Sequence, residues 1–132
     1  MKQFLRHWFP PLVWMALIFM VSARSDLPHI GERWLDILLK KIGHAVAYGV
    51  LAWLYRRALH RHFSTGSTLR TISIGLSVAY ALSDEYHQTF VPGRNGTLVD
   101  VAVDGVGACG AMLLDWWQER RRALPRQGSA AQ

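Results

Sequence analysis

Ionisable side chains that could transfer protons or hold an ion are concentrated in two stretches of the sequence. The first stretch contains Lys41 and His44, which lie three residues apart and therefore on one face of a helix. A histidine beside a carboxylate can act as a general base with its orienting partner, or can bind a hard divalent ion. The second stretch supplies the remaining candidate catalytic residues, Asp84, Glu85, Gln88, Arg94, Asp100 and Asp104.

Basic and phenolic groups in the same stretches are candidates for binding a substrate. Lys41 and Arg94 can hold phosphate oxygens, because lysine and arginine both form charge-assisted hydrogen bonds with phosphate. Tyr48 lies one helical turn beyond His44 on the same stripe. We therefore expect Lys41, Arg94 and Tyr48 to contact the substrate.

The two adjacent carboxylates of the second stretch are expected to point in different directions. Asp84 and Glu85 are about 100° apart around a helix, so both cannot face the interior equally. Asp84 shares a helix face with Gln88 and is the better candidate for the cluster. Glu85 is then expected to pair with Arg94 or His87.

The later carboxylates lie one helical turn apart. Asp100 and Asp104 are therefore both expected to face inward. Either Asp84 or Asp100 is the expected carboxylate partner of His44, as the orienter of a base or as a second ligand of an ion.

Composition excludes several classes of protein. With 132 residues the chain forms one domain, which excludes an enzyme with separate cofactor and substrate domains. Apolar residues make up 51% of the chain and charged residues 18%, which excludes intrinsic disorder. The single cysteine, Cys109, excludes a disulfide framework and a zinc finger. The net charge of +6 favours an anionic partner, either nucleic acid or a membrane surface.

Charge-free stretches predict helices that cross a membrane. Residues 7–23 contain no Lys, Arg, Asp or Glu over seventeen positions, about the shortest length that can cross a bilayer. Later spans near residues 41–59, 69–90 and 97–117 reach that length only by including charged groups, which should face the bundle interior. The prediction is an all-α, four-helix transmembrane bundle, with a short helix at residues 31–40 on the outer interface.

Two alternatives to this interpretation remain open. Lys2 and Arg6, followed by an apolar stretch and the small residues 21–23, are also typical of a signal peptide. A soluble four-helix domain is the second alternative, but it would have to bury six tryptophans.

Basic residues predict the orientation of the bundle. With four crossings, ten Lys and Arg lie on the side of the two termini and five on the opposite side. Basic residues near span ends are retained in the cytoplasm, so we expect both termini inside. The ionisable groups of three spans then share one depth just below the outer surface. This topology also accounts for the net charge, and no groove-reading motif supports a nucleic-acid partner.

The domain prediction follows from the spans. Residues 1–120 should form a single transmembrane domain and residues 121–132 a basic, disordered tail. Residues 64–68 are predicted as a turn. Small residues, among them Gly43, Gly49 and Gly107, should allow close helix packing.

Two motifs lie within this domain, KIGHAVAYGVL at residues 41–51 and SDEYHQTFVPGRNGTLVDVAVDGVGACG at residues 83–110. They resemble the VanZ-like family of small membrane proteins, which has the pattern Lys-x-x-His-x-x-x-Tyr, then Asp-Glu-x-x-Gln-x-Phe, an Arg, an Asp and a Gly-rich last span. The resemblance covers about residues 8–117. Asp104 departs from the family, which more often has Asn there. A second carboxylate could raise the affinity of the site for a proton or a metal, or could be neutral.

The resemblance implies four transmembrane helices in a bacterial cytoplasmic membrane and a connection to the cell envelope. The named member of the family is linked to resistance to the glycopeptide teicoplanin, which makes an effect on antibiotic susceptibility an expectation. The resemblance implies no mechanism.

Three functions are compatible with the polar cluster. The first is acid/base or metal-assisted chemistry on a lipid-linked phosphate or another headgroup. The second is binding of an anionic lipid or a lipid-linked cell-wall precursor without turnover. The third is proton- or ion-coupled transport, for which four short helices would require a homo-oligomer. The sequence leaves the cofactor open, including whether a metal binds.

Overall fold

The part of the chain that the structure describes forms four helices. The computed structural model describes residues 2–24, 32–63 and 66–123. Helix α1 spans Lys2–Ser22, α2 spans Arg33–Leu59, α3 spans Gly66–Gln88 and α4 spans Leu98–Ala123. The described residues contain no strand, so the all-α prediction with four helices is confirmed.

Neighbouring helices run in opposite directions. Trp14 of α1 donates a hydrogen bond to the carbonyl of Ala47 in α2 over 2.9 Å, and Tyr80 of α3 donates to the carbonyl of Met15 over 2.7 Å. Helices α2, α3 and α4 pack against one another, whereas α1 packs mainly on α2. The first half of α2, the last turns of α3 and the first turns of α4 therefore meet at one end of the bundle.

Helices α2 and α4 come into backbone contact at small residues. Gly107 faces the carbonyl of Ala45, and a Cβ atom on Gly107 would collide with that carbonyl. A Cβ atom on Gly49 would lie 3.0 Å from the carbonyl oxygen of Gly107. The predicted packing role of these two glycines is confirmed. Gly43, by contrast, has open space at its Cβ position.

The interior of the bundle contains both an apolar core, which includes Leu51, Leu69 and Met112, and several polar side chains, while many large apolar side chains are exposed on its outside. The large exposed apolar residues include Leu12, Val46, Leu82 and Val106, one on each helix. An exposed apolar surface on every helix suits contact with lipid or with other helices rather than with water. Among the described residues, the buried polar ones are Ser22, Asp36, Ser73, Ser77, Asp84, Glu85, Gln88 and Asp104.

Two of the helices are long and apolar enough to cross a membrane. They are the segments Phe4–Ser22 of α1 and Trp34–Leu59 of α2. The first segment agrees with the charge-free stretch at residues 7–23, and the second contains the predicted span at residues 41–59.

The predicted interfacial helix is wrong, because residues 33–40 are the first two turns of α2. These residues contain no Gly or Pro that would end a helix. Asp36 in the first turn interacts favourably with the helix dipole, and Lys40 forms an ion pair with Asp36 over 2.7 Å. The helix is therefore continuous from Arg33 to Leu59.

Two further boundaries differ from the prediction. Helix α3 begins at Gly66, within the predicted turn at residues 64–68, and α4 continues to Ala123, within the predicted tail. Residues 31, 64–65 and 124–132, on which parts of these predictions fall, lie outside the described residues.

Candidate functional site

A polar pocket of about 320 Å³ lies at the end of the bundle where α2, α3 and α4 meet. Asp84 is buried beside this pocket, toward α1, and does not line it. The other seven predicted catalytic residues do line it: Lys41, His44, Glu85, Gln88, Arg94, Asp100 and Asp104. The antiparallel order of the helices brings them together, because it places early residues of α2 and α4 beside late residues of α3.

Three of these side chains point toward one another, and we call them the His44 cluster: His44, Glu85 and Asp104. One ligand atom from each lies within 4.8 Å of those of the other two. His44 Nδ1 lies 3.6 Å from Asp104 Oδ1. Asp104 is 1% exposed, and neither of its carboxylate oxygens has a hydrogen-bond partner among the described residues. The cluster can therefore move a proton through His44 or hold a cation.

The carboxylate beside His44 is not the predicted one. The sequence predicts Asp84 or Asp100 as the partner, but Asp104 occupies that position. The reason is the close crossing of α2 and α4, which brings Asp104 opposite His44, one turn before the contact at Gly107. Residue spacing within one helix cannot predict which carboxylate of α4 lies opposite His44, because that depends on how the two helices cross.

Glu85 also departs from its prediction. Its Oε2 accepts a hydrogen bond from the backbone N–H of Thr97 over 3.0 Å, and its Oε1 accepts one from Gln88 Nε2 over 3.1 Å. Glu85 is buried together with its neighbour Asp84, and it points toward His44 rather than pairing with His87 or Arg94. Two adjacent positions on α3 can both be buried because other helices and the loop before α4 surround this end of the helix.

Asp84 connects α1 and α2 to α3. Its Oδ2 accepts hydrogen bonds from Ser22 Oγ over 2.6 Å, Tyr48 OH over 3.2 Å and Gln88 Nε2 over 3.2 Å. Tyr48 is fully buried and its hydroxyl positions Asp84. Its side chain does not line the polar pocket but lines an apolar cleft between α1 and α2, so its predicted contact with a substrate stays a prediction. Ser22, in the predicted first span, is a member of the site that spacing arguments did not select.

Lys41 and Asp100 form an ion pair at the rim of the pocket. Asp100 lines the pocket together with Asp104, but Asp100 is partly exposed whereas Asp104 is buried. Thr97 Oγ1 donates to Asp100 Oδ2 over 2.7 Å, and the backbone N–H of Asp100 donates to Thr97 Oγ1 over 3.2 Å. This reciprocal contact caps the start of α4, which explains why Asp100 stays at the helix end.

Arg94 ties the loop after α3 to the end of α1. Its Nε donates to the carbonyl of Arg24 over 3.2 Å and its Nη2 to the carbonyl of Val21 over 3.4 Å. Its Nη1 donates to Gln88 Oε1 over 3.3 Å. Arg94 thus reaches the pocket and at the same time holds α1 against it.

An apolar cleft of about 390 Å³ lies beside the polar pocket, between α1 and α2. Lys40, His44 and Arg94 line both cavities. Neither Lys40 nor the cleft follows from residue spacing along one helix, so neither was predicted from the sequence. Gly43 was the sequence feature that could have indicated the cleft, because it adds no side chain to fill the space. The apolar walls of the cleft include Trp14, Leu17, Ile18, Val21 and Ala47.

Comparison with protein families gives a match over most of the chain. The VanZ/LLP1 family model matches residues 3–118 of the 132. This range contains all four helices except the ends of α1 and α4, and every residue that lines the two cavities. No curated protein and no solved structure matches the chain.

Proposed function

The chain belongs to the VanZ/LLP1 family, and we propose that it is a multi-pass protein of the bacterial cytoplasmic membrane that binds a lipid-linked phosphate headgroup and acts on it. The observation that carries this proposal is the junction of two cavities. Lys40, His44 and Arg94 line both the polar pocket and the apolar cleft. A headgroup in the pocket would therefore have its hydrocarbon chain in the cleft, which a water-soluble substrate would not need.

In this proposal all four helices cross the membrane, with both termini in the cytoplasm. The apolar residues exposed on each helix support lipid contact, and the excess of basic residues on the side of the termini supports the orientation. The charged residues of α3 and α4 that face the interior are compatible with spans that carry a functional site. The pocket then opens just below the outer surface.

Basic groups around the pocket favour a phosphate over a neutral headgroup. Lys40, Lys41 and Arg94 all line the pocket, and lysine and arginine bind phosphate oxygens through charge-assisted hydrogen bonds. The His44 cluster lies in the same pocket and is the reactive part of the proposed site. It supports acid/base or metal-assisted chemistry on the bound phosphate.

The proposed function can be tested with the purified chain in detergent micelles. Micelles containing a polyprenyl phosphate, a polyprenyl diphosphate or phosphatidic acid are incubated with the protein, and lipid binding, phosphate release and lipid conversion are measured. We expect saturable binding of at least one lipid, no comparable binding of inorganic phosphate, and conversion that is lost in His44→Ala. Equal binding of inorganic phosphate and the lipids would contradict the proposal.

Two glycine variants provide a matched test of the cleft. Gly43 and Gly75 both have open space at their Cβ positions, but only Gly43 lines the cleft. Gly43→Leu should fill the cleft and weaken lipid binding, whereas Gly75→Leu, with the same change in helix propensity, should leave it unchanged. Equal binding by both variants would show that the chain of the lipid lies elsewhere.

A second candidate function is binding without turnover. It is favoured by the lining of the pocket, which contains no Ser, Thr or Cys nucleophile among the described residues. A bound cell-wall precursor could then be shielded from a glycopeptide. In that case a strain expressing the chain should be less susceptible to teicoplanin, and the purified protein should retain its lipid unaltered.

A further inference from the structure

We propose that the His44 cluster is a binding site for one first-row divalent cation, of the class that includes Mn²⁺ and Zn²⁺. This inference deepens the proposed function by naming the group that would contact a phosphate oxygen. Cation binding itself requires no lipid, so it can be measured separately.

Geometry is the first argument for the cation. A histidine nitrogen and carboxylate oxygens bind such ions at about 2.0–2.2 Å, so two ligands of one ion lie at most about 4.4 Å apart. The 3.6 Å between His44 Nδ1 and Asp104 Oδ1 meets this condition. All three ligand atoms of the cluster lie within 4.8 Å of one another, so shifts of a few tenths of an ångström would bring them to the spacing of three ligands of one ion. One imidazole and two carboxylates form a donor set suited to Mn²⁺ or Zn²⁺.

The second argument is the buried carboxylate of Asp104. It is 1% exposed, and both of its oxygens lack a hydrogen-bond partner among the described residues. Leaving a buried carboxylate without partners costs several kcal/mol, and buried charges in proteins are normally paired or bound to a metal. Asp104 points into the group formed with His44 and Glu85, where a cation would satisfy it.

The third argument is the charge balance around the pocket. Lys41 is paired with Asp100, Lys40 with Asp36, and Arg94 is bound to two carbonyls and to an amide. Lys40, Lys41 and Arg94 can still contact a phosphate in the pocket, but among the described residues none of them pairs with the two carboxylates of the His44 cluster. A phosphate bound in the pocket would therefore lie close to Glu85 and Asp104, with only His44 paired against their charge. A divalent cation would neutralise both carboxylates and could itself bind a phosphate oxygen.

Neighbouring residues already orient the ligands. Glu85 accepts hydrogen bonds from the backbone N–H of Thr97 and from Gln88 Nε2. The Cβ position of Gly96 is occupied by the backbone of Glu85, so only glycine allows the loop before α4 to approach this closely. Such outer contacts typically fix the geometry of a metal site.

The experiment measures Mn²⁺ binding to the full chain in detergent, without added lipid, from the loss of the free-ion electron paramagnetic resonance signal. We expect one Mn²⁺ per chain, displaced by Zn²⁺. Asp104→Asn should weaken Mn²⁺ binding roughly 10- to 100-fold or more, since changes to outer contacts alone have effects of that size. Asp100→Asn removes a carboxylate from the same pocket but not from the cluster, and should weaken Mn²⁺ binding by a clearly smaller factor than Asp104→Asn.

His44→Gln is the second variant, for use if Asp104→Asn does not give a folded protein, and it should also weaken binding. Equal affinities of Asp104→Asn and Asp100→Asn, or no binding of Mn²⁺ or Zn²⁺ by the unaltered chain, would overturn the cation site. Lipid binding without cation binding would overturn this inference and leave the proposed function intact. Cation binding without lipid binding would overturn the proposed function and leave the cation site intact.

Discussion

The two ends of the helical bundle both bring acidic and basic side chains together, but they pair them differently. At one end, Arg56 Nε lies 2.7 Å and Arg70 Nε 3.1 Å from the same oxygen of Asp115, and both arginines also pair with Glu119. We call these four residues the arginine network. It joins α2, α3 and α4 and contains two positive and two negative groups. At the other end, the His44 cluster joins the same three helices but contains two carboxylates and one histidine.

The two ends differ in whether their charges are matched. In the arginine network each charge faces an opposite charge, so desolvation is offset by attraction and the helices are held together. In the His44 cluster Asp104 is more deeply buried than Asp115 yet has no hydrogen-bond partner among the described residues. An arrangement that is costly in the absence of a ligand is expected where a ligand or proton binds.

The largest expected effect concerns the side of the membrane on which each end lies. In a chain carrying Cys109→Ala, Asn95→Cys near the pocket should react with a membrane-impermeant maleimide added to intact cells. Ser67→Cys near the arginine network should react only after the cells are opened. The opposite labelling pattern would place the polar pocket on the cytoplasmic side.

The same substitution should have different effects on stability at the two ends. Asp115→Asn removes the more buried of the two carboxylates that Arg56 and Arg70 share, leaving only Glu119, and should lower the free energy of unfolding by about 2–3 kcal/mol. Asp104→Asn removes a buried charge that is held by His44 over 3.6 Å without a hydrogen bond, and should leave the free energy of unfolding unchanged or raise it by up to about 2 kcal/mol. Unfolding by sodium dodecyl sulfate in mixed micelles, with EDTA present, measures both values. A similar decrease in the free energy of unfolding for Asp115→Asn and Asp104→Asn would contradict the view that, of the two groups, only the arginine network stabilises the fold.

Gly107 tests whether the close crossing of α2 and α4 sets the geometry of the His44 cluster. Gly107→Ala places a methyl group against the carbonyl of Ala45 and should cost about 1–3 kcal/mol of stability. It should also weaken Mn²⁺ binding, because it moves Asp104 away from His44. Gly110→Ala, which has open space at its Cβ position, should instead stabilise α4 by up to about 1 kcal/mol through helix propensity. Unaltered Mn²⁺ affinity in a folded Gly107→Ala protein would argue against this dependence.

The smallest expected effect is at the cap of α4. Thr97→Ala removes the hydroxyl that contacts Asp100 and should cost about 1 kcal/mol of stability. The backbone N–H that Thr97 donates to Glu85 remains, so the Mn²⁺ affinity should change little. Thr97→Ser, which keeps the hydroxyl, is the control. A Thr97→Ala protein that loses Mn²⁺ binding would show that the cap, and not only the backbone, positions the cluster.

Much of the fold could be predicted because it depends on patterns along the chain. Charge-free and charge-poor stretches predicted four helices, and every bound except the start of α2 lies within about six residues of the predicted one. The start of α2 was misplaced because the amphipathic segment before Lys41 was interpreted as a separate element. Nothing in that segment ends a helix, and the Asp36–Lys40 pair continues it.

The composition of the polar pocket was also predictable, because ionisable groups near the same ends of several spans must meet in an antiparallel bundle. The pairing of those groups was not. Asp104 instead of Asp84 or Asp100 lies beside His44, and Lys41 binds Asp100, because the distance and rotation of α4 against α2 depend on the glycine contact at Gly107.

The sequence by itself determined which residue types the chain has for chemistry, which stretches form helices, and at which end of the bundle the polar groups lie. These properties follow from spacing and charge, which are local. The tertiary structure decided which carboxylates face the histidine, which cations are already paired, and that an apolar cleft adjoins the polar pocket. Those properties depend on rotations of helices about their axes and on backbone approach between them, where a change of one residue in register exchanges one partner for another.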